Sequence, residues 1–226
     1  MYKALQEGKF VLVFDSDKRE AETDLVMASS YVTPSSIQQM RKDGGGLIFL
    51  MTSFQIAQKL QLPYLADLYK ILESDYPIFK ALEPTDIPYD TKSSFSLYIN
   101  HRNTFTGITD EDRALTMKTF GEILKDIDSF SSKEAVQLFG SHFRSPGHVP
   151  ICVASEHLLE KRQGHTELIV ALLTMAGIVP AGSGCEMMGD SGKALSKKQA
   201  KTYAKTYDLP FIEGNEIIKE WKQWLK

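Results

Sequence analysis

The sequence predicts an α+β (mixed α/β) fold, organised as a single domain over residues 1–226. Three observations predict it. Strand-like apolar runs and helix-start signals interleave without a strict βα alternation. No internal repeat, low-complexity tract or Gly/Ser/Pro linker divides the chain. The 226 residues are enough to bury the core of one large domain.

In chain order, "FVLVF" (Phe10 to Phe14) is a wholly apolar run of strand length, followed by the charged stretch "DSDKREAETD" and then by apolar "LVMA". Thr33-Pro34 supplies an N-cap with proline at the first helical position. Gly44 to Gly46 reads as a flexible helix-to-strand connection or a mobile lid, and "GLIFLMT" (Gly46 to Thr52) as the strand after it. In "SFSLYIN" (Ser94 to Asn100), Phe95, Leu97 and Ile99 are expected on one face with Ser96 and Tyr98 on the other. Thr109 caps a helix, and Ser131 with Glu134 and Ser196 with Gln199 fit capping boxes. "TELIVALLTMAG" is a nearly all-apolar helix from Thr166, closed by Gly177 with Pro180 beyond, and is either deeply buried or half of a subunit interface. "GSGCEMM" (Gly182 to Met188) reads as a strand, and Asn215 is expected to cap the last helix.

A formal net charge of −3 gives no electrostatic reason for a nucleic-acid partner. No run approaches the roughly eighteen apolar residues of a membrane span, and the first ten residues carry no signal-type apolar segment, so a cytoplasmic chain is expected. Cys152 and Cys185 are in no metal or redox spacing and fit reduced thiols.

Five of the ten residues in "DSDKREAETD" are carboxylates. Such a run is commonly a solvated turn. Here Glu20, Glu22 and Asp24 alternate, which in extended backbone sends all three to one side, where their repulsion favours a cation. Hard oxygen ligands suit Mg2+, and Arg19 beside them could hold a substrate oxyanion. "RQGHTE" (Arg162 to Glu167) precedes the apolar helix, whose N-terminus, with Arg162, Gly164 and Thr166, offers donors to a phosphate. His165 is then a metal ligand or an acid/base group; on the other reading Thr166 caps the helix and His165 merely packs. "RSPGHVP" puts His148 on a Pro-Gly turn, and "TGITDEDRA" puts Thr106 and Gly107 on a loop before a helix. Glu186, alone among small and apolar residues of a strand, is either a pKa-raised acid/base group or a paired structural acid. No P-loop, dinucleotide fingerprint, nucleophile elbow or H-E-x-x-H motif occurs.

In order along the chain, "GKFVLVFDSDKREAETDLVMA", "GGGLIF", "TGITDEDRALT", "SPGHV", "RQGHTE" and "AGIVPAGSGCEMMGDSGKALSK" resemble the motifs of the 3,4-dihydroxy-2-butanone 4-phosphate synthase family of riboflavin biosynthesis. The resemblance implies a mixed sheet flanked by helices, in a monofunctional form without a fused GTP cyclohydrolase II domain. It implies conversion of D-ribulose 5-phosphate to L-3,4-dihydroxy-2-butanone 4-phosphate and formate. Position by position it implies Glu20 and His165 as metal ligands, with two ions per site, Mg2+ or alternatively Mn2+. Arg19, Glu20 and Asp24 would contact the sugar, and Thr106 would lie on a loop closing over it. Arg162, Gln163, Gly164, His165 and Thr166 would wrap the phosphate end. His148 and Glu186 would be the proton-transfer pair, Glu186 also touching substrate. The implied assembly is a homodimer with active sites at the subunit interface, with no nucleic-acid or membrane partner. Thr23, Phe49 and Ser145 depart from the residues usual in the family, and the last puts the geometry of the His148 loop in question.

A pKa-raised carboxylate among Glu22, Asp24 and Glu186 is expected to remove the first proton. Two other functions compete: a different metal-dependent sugar-phosphate lyase or isomerase, and a non-catalytic phospholigand- or RNA-binding module, which would show a basic face.

Overall fold

A computed structural model describes all 226 residues. Helix α1 (Tyr2–Gln6) leads into β1 (Val11–Phe14) and, past the acidic loop, β2 (Thr23–Ala28). Then come α2 (Pro34–Gln39), β3 (Gly45–Thr52), α3 (Phe54–Lys59), α4 (Leu65–Leu72), α5 (Ile78–Ala81) and β4 (Phe95–His101). The second half runs α6 (Asp110–Ile123), α7 (Ser132–His142), β5 (Phe143–Val153), α8 (His165–Met175), β6 (Ala181–Met187), α9 (Lys197–Thr206), β7 (Phe211–Glu213) and α10 (Gly214–Trp224). No helix is long and apolar enough to cross a membrane.

All the strands join one mixed sheet in the order β4-β5-β3-β6-β2-β1-β7, with β3–β5 and β1–β7 parallel and the other neighbours antiparallel. Both faces are covered, which is why β1 and the later parts of β2 and β3 read as continuous apolar runs rather than alternating. Leu12, Leu25, Met27 and Leu50 face Ile37 of α2, Met117 and Phe120 of α6 and Ala200 of α9. Val11, Val13, Val26 and Met51 face Leu5 of α1, Leu168, Ile169 and Leu172 of α8 and Ile217 of α10. Each such aliphatic side chain stabilises the fold by about 1.5–3 kcal/mol. Two layers of helices on one mixed sheet are the predicted α+β architecture.

The caps at Thr33, Thr109, Ser131 and Ser196 form as expected, each side chain accepting from the backbone N–H three residues on. Asn215 does not cap the last helix. Glu213 holds the N-cap position, and its N–H donates to Glu216 Oε2 at 2.9 Å, because β7 runs directly into α10. Nor does Thr166 cap α8: Gly164 is its N-cap, without any side-chain hydrogen bond. Every residue of α8 from His165 to Leu173 is buried within this chain, so its apolar surface is core rather than half of an interface.

The expected alternation in β4 fails at its start. A register shift between Phe95 and Tyr98 turns Phe95 onto the α8 side, while Leu97 and Ile99 pack on the other. "RSPGHVP" is not a free turn but part of β5. Ile99 pairs with Val149 and Asn100 with Arg144, so Ser145, Pro146, Gly147 and His148 bulge out of the ladder between them. The run from Gly44 to Gly46 is the expected helix-to-strand connection: Gly44 ends the helical turn that continues α2, and Gly45 opens β3 against β6. At Gly46 a β-carbon would collide with the backbone and carboxylate of Glu186, so the glycine is what lets the strands approach there.

Candidate active site

The loop after β1 is organised from within by Asp15. Its buried carboxylate accepts the N–H groups of Glu20 (3.0 Å) and Glu22 (3.1 Å), wrapping the backbone around itself. Ala21, between them, takes a positive φ of 55° that a non-glycine residue rarely adopts, which helps turn the flanking glutamates toward a common side. Two residues on, Asp24 sits in β2 opposite Glu186 of β6. The start of α8 brings His165 over both strands. Glu20, Glu22, Asp24, His165 and Glu186 thereby line one cavity of about 440 Å³, together with Arg19, Arg162, Thr166, Phe49, Tyr89 and Asp90.

His165 is buried; its Nδ1 lies 3.2 Å from Glu20 Oε2, and its Nε2 is 3.2 Å from the Glu22 carbonyl and 3.6 Å from Asp24 Oδ1. Burial favours the neutral ring, but the charge of Asp24, the Glu20 contact and Asp15 together outweigh it and push the imidazole up to about 9. Burial likewise raises Glu20, yet the His165 hydrogen bond and the neighbouring arginines win and hold it below its ordinary value. Asp24 is fully buried, neither of its oxygens has a hydrogen-bond partner, and burial pushes it up to about 8. Glu22 and Glu186 are also raised, chiefly by burial; Glu186 accepts the Leu47 N–H at 2.7 Å.

The cavity therefore holds one carboxyl kept ionised beside an imidazole and three others that retain protons nearer neutrality. Asp15, Glu20 and His165 each offer a ligand atom, all within 4.8 Å of one another. Both Asp15 oxygens accept backbone N–H groups and so fix Glu20, while Glu20 and His165, in contact with each other at the cavity, are the pair placed to hold an ion.

On the other wall, Arg162 Nη1 donates to the fully buried Glu167 Oε2 at 2.6 Å, while Glu167 Oε1 accepts the Ser155 N–H. Arg162 Nε donates to Asp90 Oδ2 at 2.6 Å, and Arg19 Nη2 donates to that same oxygen at 3.0 Å. The uncapped N-terminus of α8 lies beside them, and at Gly164 any β-carbon would collide with both guanidinium groups. Two arginines and free helix N–H groups form an anion-binding patch that adjoins the acidic one through Arg19, whose Nη1 is 3.6 Å from Glu20 Oε1.

The structure thus unites Arg19, Glu20, Asp24, Arg162, His165, Thr166 and Glu186, with Gly164 at their edge. Three of the expected residues are not brought there within one chain. Gln163 is exposed and its amide donates to the Leu159 carbonyl. His148 and Thr106 belong to a separate cluster around Asn100. Asn100 Oδ1 accepts the His148 N–H (2.8 Å), and its Nδ2 donates to His148 Nδ1 (3.0 Å) and to the Thr106 carbonyl (3.4 Å). That pairing leaves the proton of the neutral ring on Nε2. Asp112, in the first turn of α6, accepts the N–H groups of Thr106 and Gly107 and pins the loop.

Sequence reasoning passed over Asp15, Asp90 and Glu167. Asp15 and Glu167 stood inside quoted motifs, and their signal was an acid directly after a strand and another in the first turn of an apolar helix. Asp90 carried no signal, being 71 residues from Arg19.

Comparison with known proteins points to one family. The family profile of 3,4-dihydroxy-2-butanone 4-phosphate synthase matches residues 1–220. The chain is 44% identical to the 3,4-dihydroxy-2-butanone 4-phosphate synthase of Methanothermobacter thermautotrophicus, over 98% of this chain and 94% of that protein. Among solved structures, a 3,4-dihydroxy-2-butanone 4-phosphate synthase of Candida albicans superposes with a TM-score of 0.71 at 26% identity, covering 97% of this chain and 94% of the other. A synthase of that name crystallised in complex with two magnesium ions superposes at 0.75 over 98% of this chain and 94% of its own; at 23% identity, that likeness concerns the fold.

Proposed function

The chain belongs to the 3,4-dihydroxy-2-butanone 4-phosphate synthase family of riboflavin biosynthesis, and from that premise we propose how its residues convert D-ribulose 5-phosphate to L-3,4-dihydroxy-2-butanone 4-phosphate and formate. The observation that carries the reading is one cavity lined both by a proton-holding acidic cluster and by two arginines beside a helix N-terminus. An open-chain sugar phosphate has matching ends. Its phosphate suits Arg162, Arg19 and the N–H groups from His165 onward, and its hydroxyl and carbonyl oxygens reach the acidic side.

Glu20 and His165 would hold Mg2+, or alternatively Mn2+, with two ions per site; the residues fit such a charge, because the orphaned oxygens of buried Asp24 and the three raised carboxyls call for a cation. When bound, the metal supplies Lewis-acid stabilisation of negative charge developing on substrate oxygens. The chain's own part is to move protons. Asp24, Glu22 and Glu186 each exchange one more easily near neutral pH than an ordinary carboxyl, and the first abstraction falls to one of these three. Arg19 and Arg162 orient the substrate, and the buried surroundings of Asp24 keep water from it. Substrate and products together have the same elemental composition, so proton transfers and carbon migration suffice without an outside oxidant or reductant.

His148 and Thr106 enter through a homodimer with sites at the subunit interface. Phe105 (95% exposed), Ile108 and Leu115 form an uncovered apolar surface around the same loop, which supports its burial against a second copy. His148 would then offer its Nε2 proton to the partner's cavity as acid. Co-expressing His148→Ala and Glu20→Gln chains tests this arrangement. Each variant alone should be inactive, yet the mixture should recover about a quarter of wild-type formate release, because half the dimers are mixed and each of those has one intact site. A mixture as inactive as its parents would place His148 and Glu20 in the same chain's site.

A further inference from the structure

Asp90 lies on the segment between α4 and β4, and it joins that segment to the anion wall. Its Oδ1 accepts the Thr91 N–H, which stiffens its own turn, while Oδ2 accepts from both Arg162 and Arg19. Tyr89, its neighbour, lies under the Arg19 guanidinium with 5.4 Å from Cζ to the ring centroid. A single oxygen bridging two guanidinium groups beside a helix N-terminus sits where a phosphate oxygen would sit. One donor stays without a hydrogen bond: Arg19 Nη1 is buried, with Glu20 Oε1 at 3.6 Å and Asp15 Oδ2 at 3.9 Å both beyond hydrogen-bond reach.

Beyond that, the segment is lightly held: α4 lies against β4, and Lys92 Nζ sits 4.0 Å from the centre of the Tyr64 ring. No residue of α4 or α5 is buried, and Ile71, Ile78 and Leu82 are largely exposed. Within it, Tyr69 stacks on Phe79 with ring centroids 4.6 Å apart, and Lys92 pairs with Asp67. Between its ends, Tyr89 and Asp90 tie it to the cavity wall.

We propose that Asp90 is a built-in competitor for the substrate's phosphate, occupying the place between Arg19 and Arg162 that a phosphate monoester takes on binding, so that binding releases residues 65–92 from the cavity wall. The inference rests on the sugar-phosphate reading of the site. A dianionic phosphate outcompetes one carboxylate because it brings more charge and more acceptor oxygens to the same donors, including Arg19 Nη1 and the free N–H groups of α8. The tether then acts as a filter against weaker anions, since any ligand must first displace Asp90.

Inorganic phosphate titrated calorimetrically into the purified chain, at constant ionic strength and with chelator present, reads the competition without any need for turnover. If Asp90 is paired about nine-tenths of the time, Asp90→Asn should bind phosphate about tenfold more tightly than wild type. Equal or weaker binding by the variant, or no binding by either protein, overturns the proposal. The wild-type chain gives a second reading that does not depend on the variant folding. Saturating phosphate should speed tryptic cleavage at Lys70, Lys80 and Lys92, and unchanged or slower cleavage overturns it. If wild type releases no formate from ribulose 5-phosphate while Asp90→Asn still gains phosphate affinity, the catalytic reading fails and the tether stands.

Discussion

Glu20→Gln abolishes metal-dependent turnover and leaves the fold intact: this is the expected result, with formate release down by roughly 10²–10³-fold or more, the scale of removing a preorganised charge-stabilising group. The substitution preserves shape and hydrogen-bonding reach but removes the charge facing His165 Nδ1. Glu20 is the one carboxyl of the acidic wall held below its ordinary range, so it is the one certain to be ionised when an ion arrives. Its backbone N–H would still donate to Asp15, so the loop should keep its shape. Circular dichroism should match wild type, and Mg2+ titration should show the loss of affinity. Full activity in the variant would remove Glu20 as a ligand.

Asp24→Asn has the second large effect. Asp24 is a fully buried carboxyl without a hydrogen-bond partner, facing Glu186 across the sheet and His165 from above. An amide cannot carry the proton, so a fall in kcat of about 10²–10⁴-fold is expected if Asp24 is the base, with substrate affinity changed much less. Retained kcat would pass the role to Glu22 or Glu186. The variant also changes proton-linked stability. His165 is raised from 6.5 to about 9, so its contribution is complete below the unfolded value and is lost as pH rises toward 9. The buried Asp24 beside it is raised too, to about 8. The two titrate as one interacting pair that binds protons more tightly folded than unfolded, so the pair favours the folded state less as pH rises. Both act in one direction, and the metal-free protein should lose several degrees of Tm between pH 6 and pH 9. In Asp24→Asn the carboxyl is gone and the charge that most raises the imidazole is missing, so that slope should flatten. A slope as steep as wild type would show that the pair does not set it.

Much of this could be read from residues alone, for identifiable reasons. The caps at Thr33, Thr109, Ser131 and Ser196 are local devices, in which one side chain and a backbone N–H three residues on suffice. Glu20, Glu22 and Asp24 do meet in one cavity, but not through the extended backbone expected: Ala21 is left-handed, and Asp15 holds the Glu20 and Glu22 N–H groups. What failed depends on long-range pairing. Phe95 changes face because of a register shift against β5, which no pattern within β4 reveals. Asn215 lost its place to Glu213 because β7 pairs with β1 and carries the chain straight into α10. The apolar α8 was equally consistent with an interface until the sheet and α10 were seen to cover it. In the site, the arginines were legible as anion donors, but their partners were not. Asp90 reaches them only through the fold, and Glu167 reads from sequence as an ordinary acid at a helix start.

The most direct test supplies D-ribulose 5-phosphate and Mg2+ to the purified chain and follows the products by ¹³C NMR, with a parallel sample in chelator. Formate and 3,4-dihydroxy-2-butanone 4-phosphate should appear in equal amounts with metal and not in chelator. Substrate left unchanged, or isomerised to another pentose phosphate without formate, would contradict the assignment.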